Sequence, residues 1–241
     1  MKVLTPVVLG LALAVSACAP TENGASVPSA AVVDSTMLRP DPLHPVGGDM
    51  ITPPGWTVRL DTPDPAVAIG GEEADDIFFV SMTPGWHIRT GPAGIFYHPS
   101  STASGAYTAR TTIHLFDPGE RNEAFGLFFG GKNLAGDNQT YDYFLIRNSG
   151  EFLVKRRIGA ETQVVLDWQP QAAINRYTDP AVSSVSNTLA VRIQEGQAVF
   201  LINDQEVARL PAADVQTDGI VGLRVNHALN LHISDFAVVP R

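Results

Sequence analysis

Between Trp56 and Val239 the chain alternates apolar and polar residues in short runs with a period of two, the mark of half-buried strands rather than helices. In Ala106–Phe116, Tyr107, Ala109, Thr111, Ile113 and Leu115 fall on one face, and Thr108, Arg110, Thr112 and His114 on the other. In Phe152–Ile158, Phe152, Val154, Arg156 and Ile158 share a face, which leaves Lys155 and Arg157 on the opposite one. Tyr141–Arg147 is apolar on both faces, Tyr143 and Leu145 opposing Phe144 and Ile146, so alternation alone does not say which side meets solvent. Fourteen such runs are separated by turn residues, among them Asp117-Pro118-Gly119, Asn148-Ser149-Gly150, Asn203-Asp204 and Asp218-Gly219. No window reads as an amphipathic helix, although Ala172–Tyr177 and Pro211–Val215 suffice for single turns. Strands without intervening helices predict an all-β domain of two packed antiparallel sheets.

The first 54 residues have a different texture. Lys2 precedes an apolar run from Val3 to Val15, followed by Ser16-Ala17-Cys18, and Cys18 is the only cysteine. The run is shorter than the roughly 20 residues that cross a bilayer and has the layout of a secretory signal. Ending on cysteine, it resembles a bacterial lipoprotein signal peptide, residues 1–17. That resemblance implies a lipidated Cys18 as the mature N-terminus, and Ala19 in place of the Asp of inner-membrane lipoproteins implies the outer membrane of the cell envelope. An ordinary signal with an incidental Cys18 is the alternative. Residues 18–54 carry seven prolines, from Pro20 to Pro54, without periodicity. Ala19 to about Val33 reads as a solvated tether and the rest as an irregular lead-in to a domain over residues 55–241.

Composition narrows the function classes. Formal net charge is −9, and loss of residues 1–17, with Lys2 their only charged residue, makes it −10. Such a balance argues against nucleic acid as a partner and against electrostatic docking on anionic lipid. A single cysteine committed to lipid leaves no disulfide, so stability must come from a large apolar core. Glycine and proline number 21 and 18, which favours many turns.

The last fifty residues sharpen the fold. Leu189-Ala-Val-Arg-Ile-Gln, the hairpin Ala198-Val-Phe-Leu-Ile-Asn203-Asp204-Gln-Glu-Val207, the strand Asp218-Gly219-Ile-Val-Gly222-Leu-Arg-Val-Asn226 and the final Leu231-His-Ile-Ser-Asp-Phe236 resemble the C-terminal half of concanavalin A-like jelly rolls. That superfamily includes laminin G-like modules and the domain named for 3-keto-disaccharide hydrolases. Asp204 stands where the usual turn has glycine, which a type I′ turn tolerates. The segment Gly85-Trp-His-Ile-Arg-Thr-Gly-Pro-Ala-Gly-Ile-Phe-Tyr97 is similar to a group of uncharacterised secreted bacterial proteins of this kind. The resemblance implies a two-sheet antiparallel jelly-roll sandwich and transfers no activity.

Chemistry is sparse. The chain has no G-x-S-x-G, H-E-x-x-H, P-loop or dinucleotide fingerprint. It also lacks the E-x-D-x-x-E strand that places the carboxylates of retaining glucanases on a jelly roll. Its acidic pairs, Glu72-Glu73 and Asp75-Asp76, sit in an expected loop. The histidines His44, His87, His98, His114, His227 and His232 show no metal-ligand spacing, and no metal is assigned. Glycan recognition needs aromatic faces beside polar groups. The candidates are His87 and Tyr97 in the Gly85–Tyr97 segment, Tyr143 and Arg147, Lys155 and Arg157, and the pair Asn226-His227 at the last hairpin. Lys155 and Arg157 suit a sugar acid. The polar loop Gly130–Asn138 offers Asp137 and Asn138 as weak calcium ligands and is otherwise an ordinary hairpin loop. The sequence therefore points to an envelope lipoprotein whose jelly roll binds glycan or another envelope component without catalysis. A carbohydrate-active hydrolase and a protein-assembly module are the competing readings.

Overall fold

The computed structural model describes residues 52–72 and 75–241. The expected signal segment, Cys18, the expected tether, most of the expected lead-in and His44 lie outside the described residues. Fifteen strands follow in chain order: β1 (Thr57–Leu60), β2 (Ile69–Gly70), β3 (Ile77–Ser81), β4 (Trp86–Thr90), β5 (Gly94–Ala103), β6 (Tyr107–Phe116), β7 (Ala124–Lys132), β8 (Thr140–Arg147), β9 (Glu151–Ile158), β10 (Glu161–Pro170), β11 (Ser184–Gln194), β12 (Gln197–Ile202), β13 (Gln205–Pro211), β14 (Gly219–Val225) and β15 (Asn230–Pro240). They form a seven-stranded sheet in the order β1-β5-β14-β7-β8-β9-β10 and an eight-stranded sheet in the order β13-β12-β11-β6-β15-β4-β3-β2. Among the described strands only the short β2 pairs in parallel, with β3. Sequence neighbours β8-β9-β10 are joined by tight hairpins and β7-β8 by the longer loop 133–139, whereas β14 inserts between β5 and β7 and β15 between β4 and β6. Each sheet is thus closed by chain from both halves of the domain.

The inner faces of the two sheets share one core. Phe79, Phe96, Phe125, Phe129, Phe144, Phe152 and Phe200 are all buried there. Phe79 meets Phe96 edge-on with ring centroids 5.1 Å apart, and Phe144 meets Phe200 at 5.2 Å, the geometry that aromatic quadrupoles favour. Inside-facing positions follow the alternation: in β6 the odd-numbered Tyr107, Ala109, Thr111, Ile113 and Leu115 are buried. The β12–β13 hairpin turns at Asn203 and Asp204 with φ of 49° and 64°, both positive as a two-residue type I′ turn requires. Asn203 does more than turn the chain. Its side-chain amide donates to the Ala173 carbonyl at 2.7 Å and its side-chain oxygen accepts from the Thr188 amide at 2.8 Å.

Of the two single turns that the sequence allows, one is helical. Residues 172–177 form no helix, but the Ile174 amide donates to the Gln171 carbonyl at 3.3 Å and closes one turn. They run as an irregular segment pinned by side chains, the Tyr177 amide donating to Asn148 Oδ1 at 2.7 Å and the Asn175 amide to Asn187 Oδ1 at 2.8 Å. These side-chain acceptors replace the carbonyls that a helix would have used. The turn expected over Pro211–Val215 is a short 3₁₀ segment, Ala212–Asp214. A fully buried Asp142 anchors this region, taking two hydrogen bonds from Arg156 at 2.7 and 2.8 Å and one from the Gln216 amide at 2.9 Å.

Candidate functional site

The seven-stranded sheet carries a second apolar cluster on the face turned away from the shared core. Ile95 and Tyr97 from β5, Phe128 from β7, Tyr141, Tyr143 and Leu145 from β8 and Leu153 from β9 pack together there. Apolar residues on both faces of β8 are therefore explained by two cores, and Tyr143 and Leu145 belong to the outer one. Gly222 of β14 makes room for it, since a Cβ at that position would lie 2.4 Å from the Phe128 ring. Leu134, in the loop between β7 and β8, also joins this cluster, so the loop folds back across the sheet.

Charged groups sit over the cluster. Asp61, just past the end of β1, is bound by Arg224 of β14 through both carboxylate oxygens, the Nη2 contact measuring 2.6 Å. Arg157 of β9 donates from Nη2 to the Asp61 carbonyl at 3.2 Å and from Nε to the Gly159 carbonyl at 2.8 Å. β9 and β14 are separated in the sheet by β7 and β8, yet both reach Asp61. The sheet thus curls so that its outer face is a hollow. Arg59 of β1 closes the same hollow, donating from Nη1 to the Leu134 carbonyl at 2.7 Å. Arg157 and Arg224 are only 8% and 7% exposed, so two guanidinium groups are concentrated around Asp61 in a largely water-poor place.

Two open spaces remain along this hollow. One, of about 480 Å³, is lined by Tyr97, Pro99, Leu134 and Ile220 with the amide side chains of Asn133 and Asn138 at its edge. The other, of about 170 Å³, is lined by Arg59, Asp61, Asp137, Gln139 and Arg157. Tyr97 and Tyr143 have their phenol pKa values raised by burial, Tyr143 to about 12 against the opposing field of Arg224. Both phenols are thus neutral hydrogen-bonding groups at any physiological pH. An apolar groove with a few convergent polar groups is the general form of a small-ligand site.

The residues singled out in the sequence separate into three places. Tyr97, Tyr143 and Arg157 come together in the hollow, although Tyr143, 7% exposed, is packed within its floor. Arg147 and Lys155 lie on the same face toward its far strands. Lys155 pairs in register with Tyr143 and Val164. Arg147 stacks over the Trp168 ring at 3.9 Å and pairs with Glu151 at 2.7 Å. His87 is on the other sheet, buried between Phe78 and Phe116. Asn226 and His227 form a hairpin braced against β4, Thr90 Oγ1 donating to the Asn226 carbonyl at 2.7 Å while His227 is exposed. Of the loop acids, Asp75 and Asp76 are spent on turns, accepting from the Glu72 and Ala68 amides.

Arg59, Asp61, Gln139 and Arg224 were not among the sequence candidates. A signal existed: in Gly219–Val225 the inward positions are Val221, Leu223 and Val225, which sends Arg224 outward beside Gly222. An arginine next to a glycine on an otherwise apolar sheet marks a face with close neighbours above it. His87, His232 and His114 are a further surprise, since they stand opposite one another across β4, β15 and β6. His114 hydrogen-bonds Ser234 Oγ at 2.9 Å and stacks near His232, ring centroids 5.6 Å apart. Among the described residues no three His, Cys, Asp or Glu side chains converge in a metal-holding group.

No protein-family model matches the chain, and no curated protein matches it. Solved structures do share its architecture. A carbohydrate-binding module of the CBM66 type from Bacillus subtilis is similar at TM-score 0.54 and 14% identity, over 78% of this chain and 96% of that one. A Bacillus subtilis protein of unknown function with a galectin-like fold follows at 0.51 and 13%, over 77% and 90%. A GH16 protein of a Bacteroides ovatus mixed-linkage glucan locus, solved with an oligosaccharide product, is similar at 0.50 and 8%, over 80% and 96%. The fold is a concanavalin A-like, galectin-like jelly roll. At these identities the likeness carries the jelly-roll fold alone.

Proposed function

We propose that this chain is an envelope lipoprotein, anchored through Cys18 and placed at the outer membrane, whose jelly roll binds glycan in the hollow of its seven-stranded sheet without hydrolysing it. The observation that carries the reading is the groove beside Tyr97. It has an aromatic and aliphatic floor, two asparagine amides at the rim and three arginines next to it. Sugars present that pairing of apolar ring faces and hydroxyl groups. Relatives in fold that are a carbohydrate-binding module and a glucan-acting GH16 protein lend the reading support at the level of fold.

Hydrolysis with retention or inversion needs two carboxylates flanking the scissile bond, one of them free to give up a proton. In the hollow Asp61 has both oxygens engaged by Arg224. Asp137 stands exposed on the β7–β8 loop. Neither is arranged as a proton donor across an open groove, which favours binding over turnover. Two or more acyl chains hold a protein on a membrane stably at about 0.8 kcal/mol per buried CH₂. A Pro-rich tether then lifts the domain from the surface. Among the described residues no helix is long and apolar enough to cross a membrane.

A glycan array probed with the purified chain, followed by product analysis of each retained glycan, tests the binding reading. Retention of an unchanged glycan supports it, release of shorter products moves the assignment to a hydrolase, and absence of retention contradicts it. Metabolic labelling with palmitate tests the anchor: label is expected in the native chain and lost in Cys18→Ala, and equal labelling of both would refute lipidation at this residue.

A further inference from the structure

The smaller space in the hollow is lined by residues with buried hydrogen-bonding atoms that nothing among the described residues satisfies. Gln139 is 3% exposed; its amide nitrogen donates to the Gly159 carbonyl at 3.2 Å, and its Oε1 has no partner. The Arg59 Nη1 is held by the Leu134 carbonyl, but its Nε is buried without an acceptor. Arg157 spends Nε and Nη2 on the Gly159 and Asp61 carbonyls, while its Nη1 stands 3.9 Å from the nearest Asp61 oxygen, too far for a hydrogen bond. Buried polar atoms are normally paired, so the two unspent ones at this pocket, Gln139 Oε1 and Arg59 Nε, mark what a ligand brings.

Charge says more. Arg224, from outside the pocket lining, already matches the Asp61 carboxylate through both oxygens, which leaves Arg59 and Arg157 against Asp137 among the charged residues that line the space, an excess of one positive charge. A neutral ligand would leave that excess unmatched. A simple anion that only accepts hydrogen bonds would match it but set its oxygens against Gln139 Oε1. A carboxylate flanked by hydroxyl groups satisfies both demands, since the carboxylate accepts from guanidinium N–H groups and a hydroxyl donates to the amide oxygen. A volume of about 170 Å³ suits one sugar ring rather than a chain.

We infer that the pocket bounded by Arg59, Gln139 and Arg157 is a subsite for a single hexuronic acid residue of a glycan. Its carboxylate is taken by Arg157 Nη1 and Arg59 Nε, and one of its hydroxyls by Gln139 Oε1. The inference rests on the glycan-binding reading and adds to it the class of sugar. It also gives the wider groove at Tyr97 a role as the platform for the next residue.

The test is titration calorimetry of the purified full chain with oligogalacturonate and oligoglucuronate, each against its neutral galactose or glucose counterpart, and with variants Gln139→Leu and Arg157→Lys. At least one uronate is expected to bind about ten-fold or more tightly than its neutral counterpart, a difference of the size a charge-assisted hydrogen bond gives. Gln139→Leu, which keeps volume and removes the acceptor, is expected to cut that preference with the melting temperature unchanged. Equal or tighter binding of the neutral sugars overturns the uronate subsite and leaves the glycan reading standing. Binding of other array glycans but of neither uronate also overturns the subsite, and binding of no glycan removes both. The acid-to-neutral ratio in the native chain decides the matter even if a variant fails to fold.

Discussion

Arg224 of β14 closes on both carboxylate oxygens of Asp61, a residue 163 positions away in the chain, and ties the end of β1 down over the outer face of the seven-stranded sheet. Arg224 is almost wholly buried, whereas the Asp61 side chain keeps 28% of its surface. Truncating the acid leaves a desolvated guanidinium with Nη1 and Nη2 unpaired. Asp61→Ala is therefore expected to lower unfolding stability by about 3 kcal/mol, the usual cost of stranding a buried charge. Urea denaturation measures it, and a loss under about 1 kcal/mol would show that the pair does not hold the hollow.

The second buried pair gives an internal comparison. Asp142 is fully buried and depends on Arg156, whereas Arg110 and Asp235 pair at 3.1 Å with side chains 54% and 39% exposed. Arg156→Ala strands a carboxylate and is expected to cost about 3 kcal/mol. Arg110→Ala removes only a screened surface contact and is expected to cost less than about 1 kcal/mol. Equal losses in the two variants would contradict this account of burial.

The row His87–His232–His114 makes the domain sensitive to acid. Burial lowers His87 to a pKa of about 4 and His232 to about 3, the latter helped by its two histidine neighbours. In the unfolded chain the same groups titrate near 6.5. The unfolded state thus binds protons first as pH falls, and the stability of neutral burial, complete above about 6.5, drains away between there and the folded values. Denaturation at pH 7 and pH 5 is expected to differ by an amount on the order of 3 kcal/mol. His232→Leu is expected to lose a large part of that difference. A stability flat over this range, or a variant as acid-sensitive as the native chain, would show that the row is not the cause.

Calcium has little to hold in the β7–β8 loop. The ion takes six to eight oxygens, usually with several carboxylates, and between Asn133 and Gln139 Asp137 is the single acid. Glycan binding is expected to be unchanged by a chelator in calorimetry. A loss restored by added calcium would place a cation at that loop.

Strand positions were legible because period-two alternation fixes which side chains share a face, as Lys155 and Arg157 opposite Val154 and Arg156 show. The turn at Asn203-Asp204 was legible because few residue pairs tolerate two positive φ angles. The site was not. Alternation in Tyr141–Arg147 is satisfied by two apolar faces and cannot tell a second core from an open surface. The Asp61–Arg224 contact depends on the curl of a seven-stranded sheet, and the orphan oxygen of Gln139 exists only once Gly159 has taken its amide. The histidine row was hidden for a similar reason, since residues 87, 114 and 232 are joined by strand register and by no spacing in the chain.

Amide hydrogen exchange of the full chain, with and without a glycan retained from the array, tests most directly the claim that ligand is held in the hollow of the seven-stranded sheet. Protection is expected to concentrate in the loop 133–139 and at Tyr97–Pro99, with the eight-stranded sheet unchanged. Protection confined to the eight-stranded sheet, or none at either place, would contradict it.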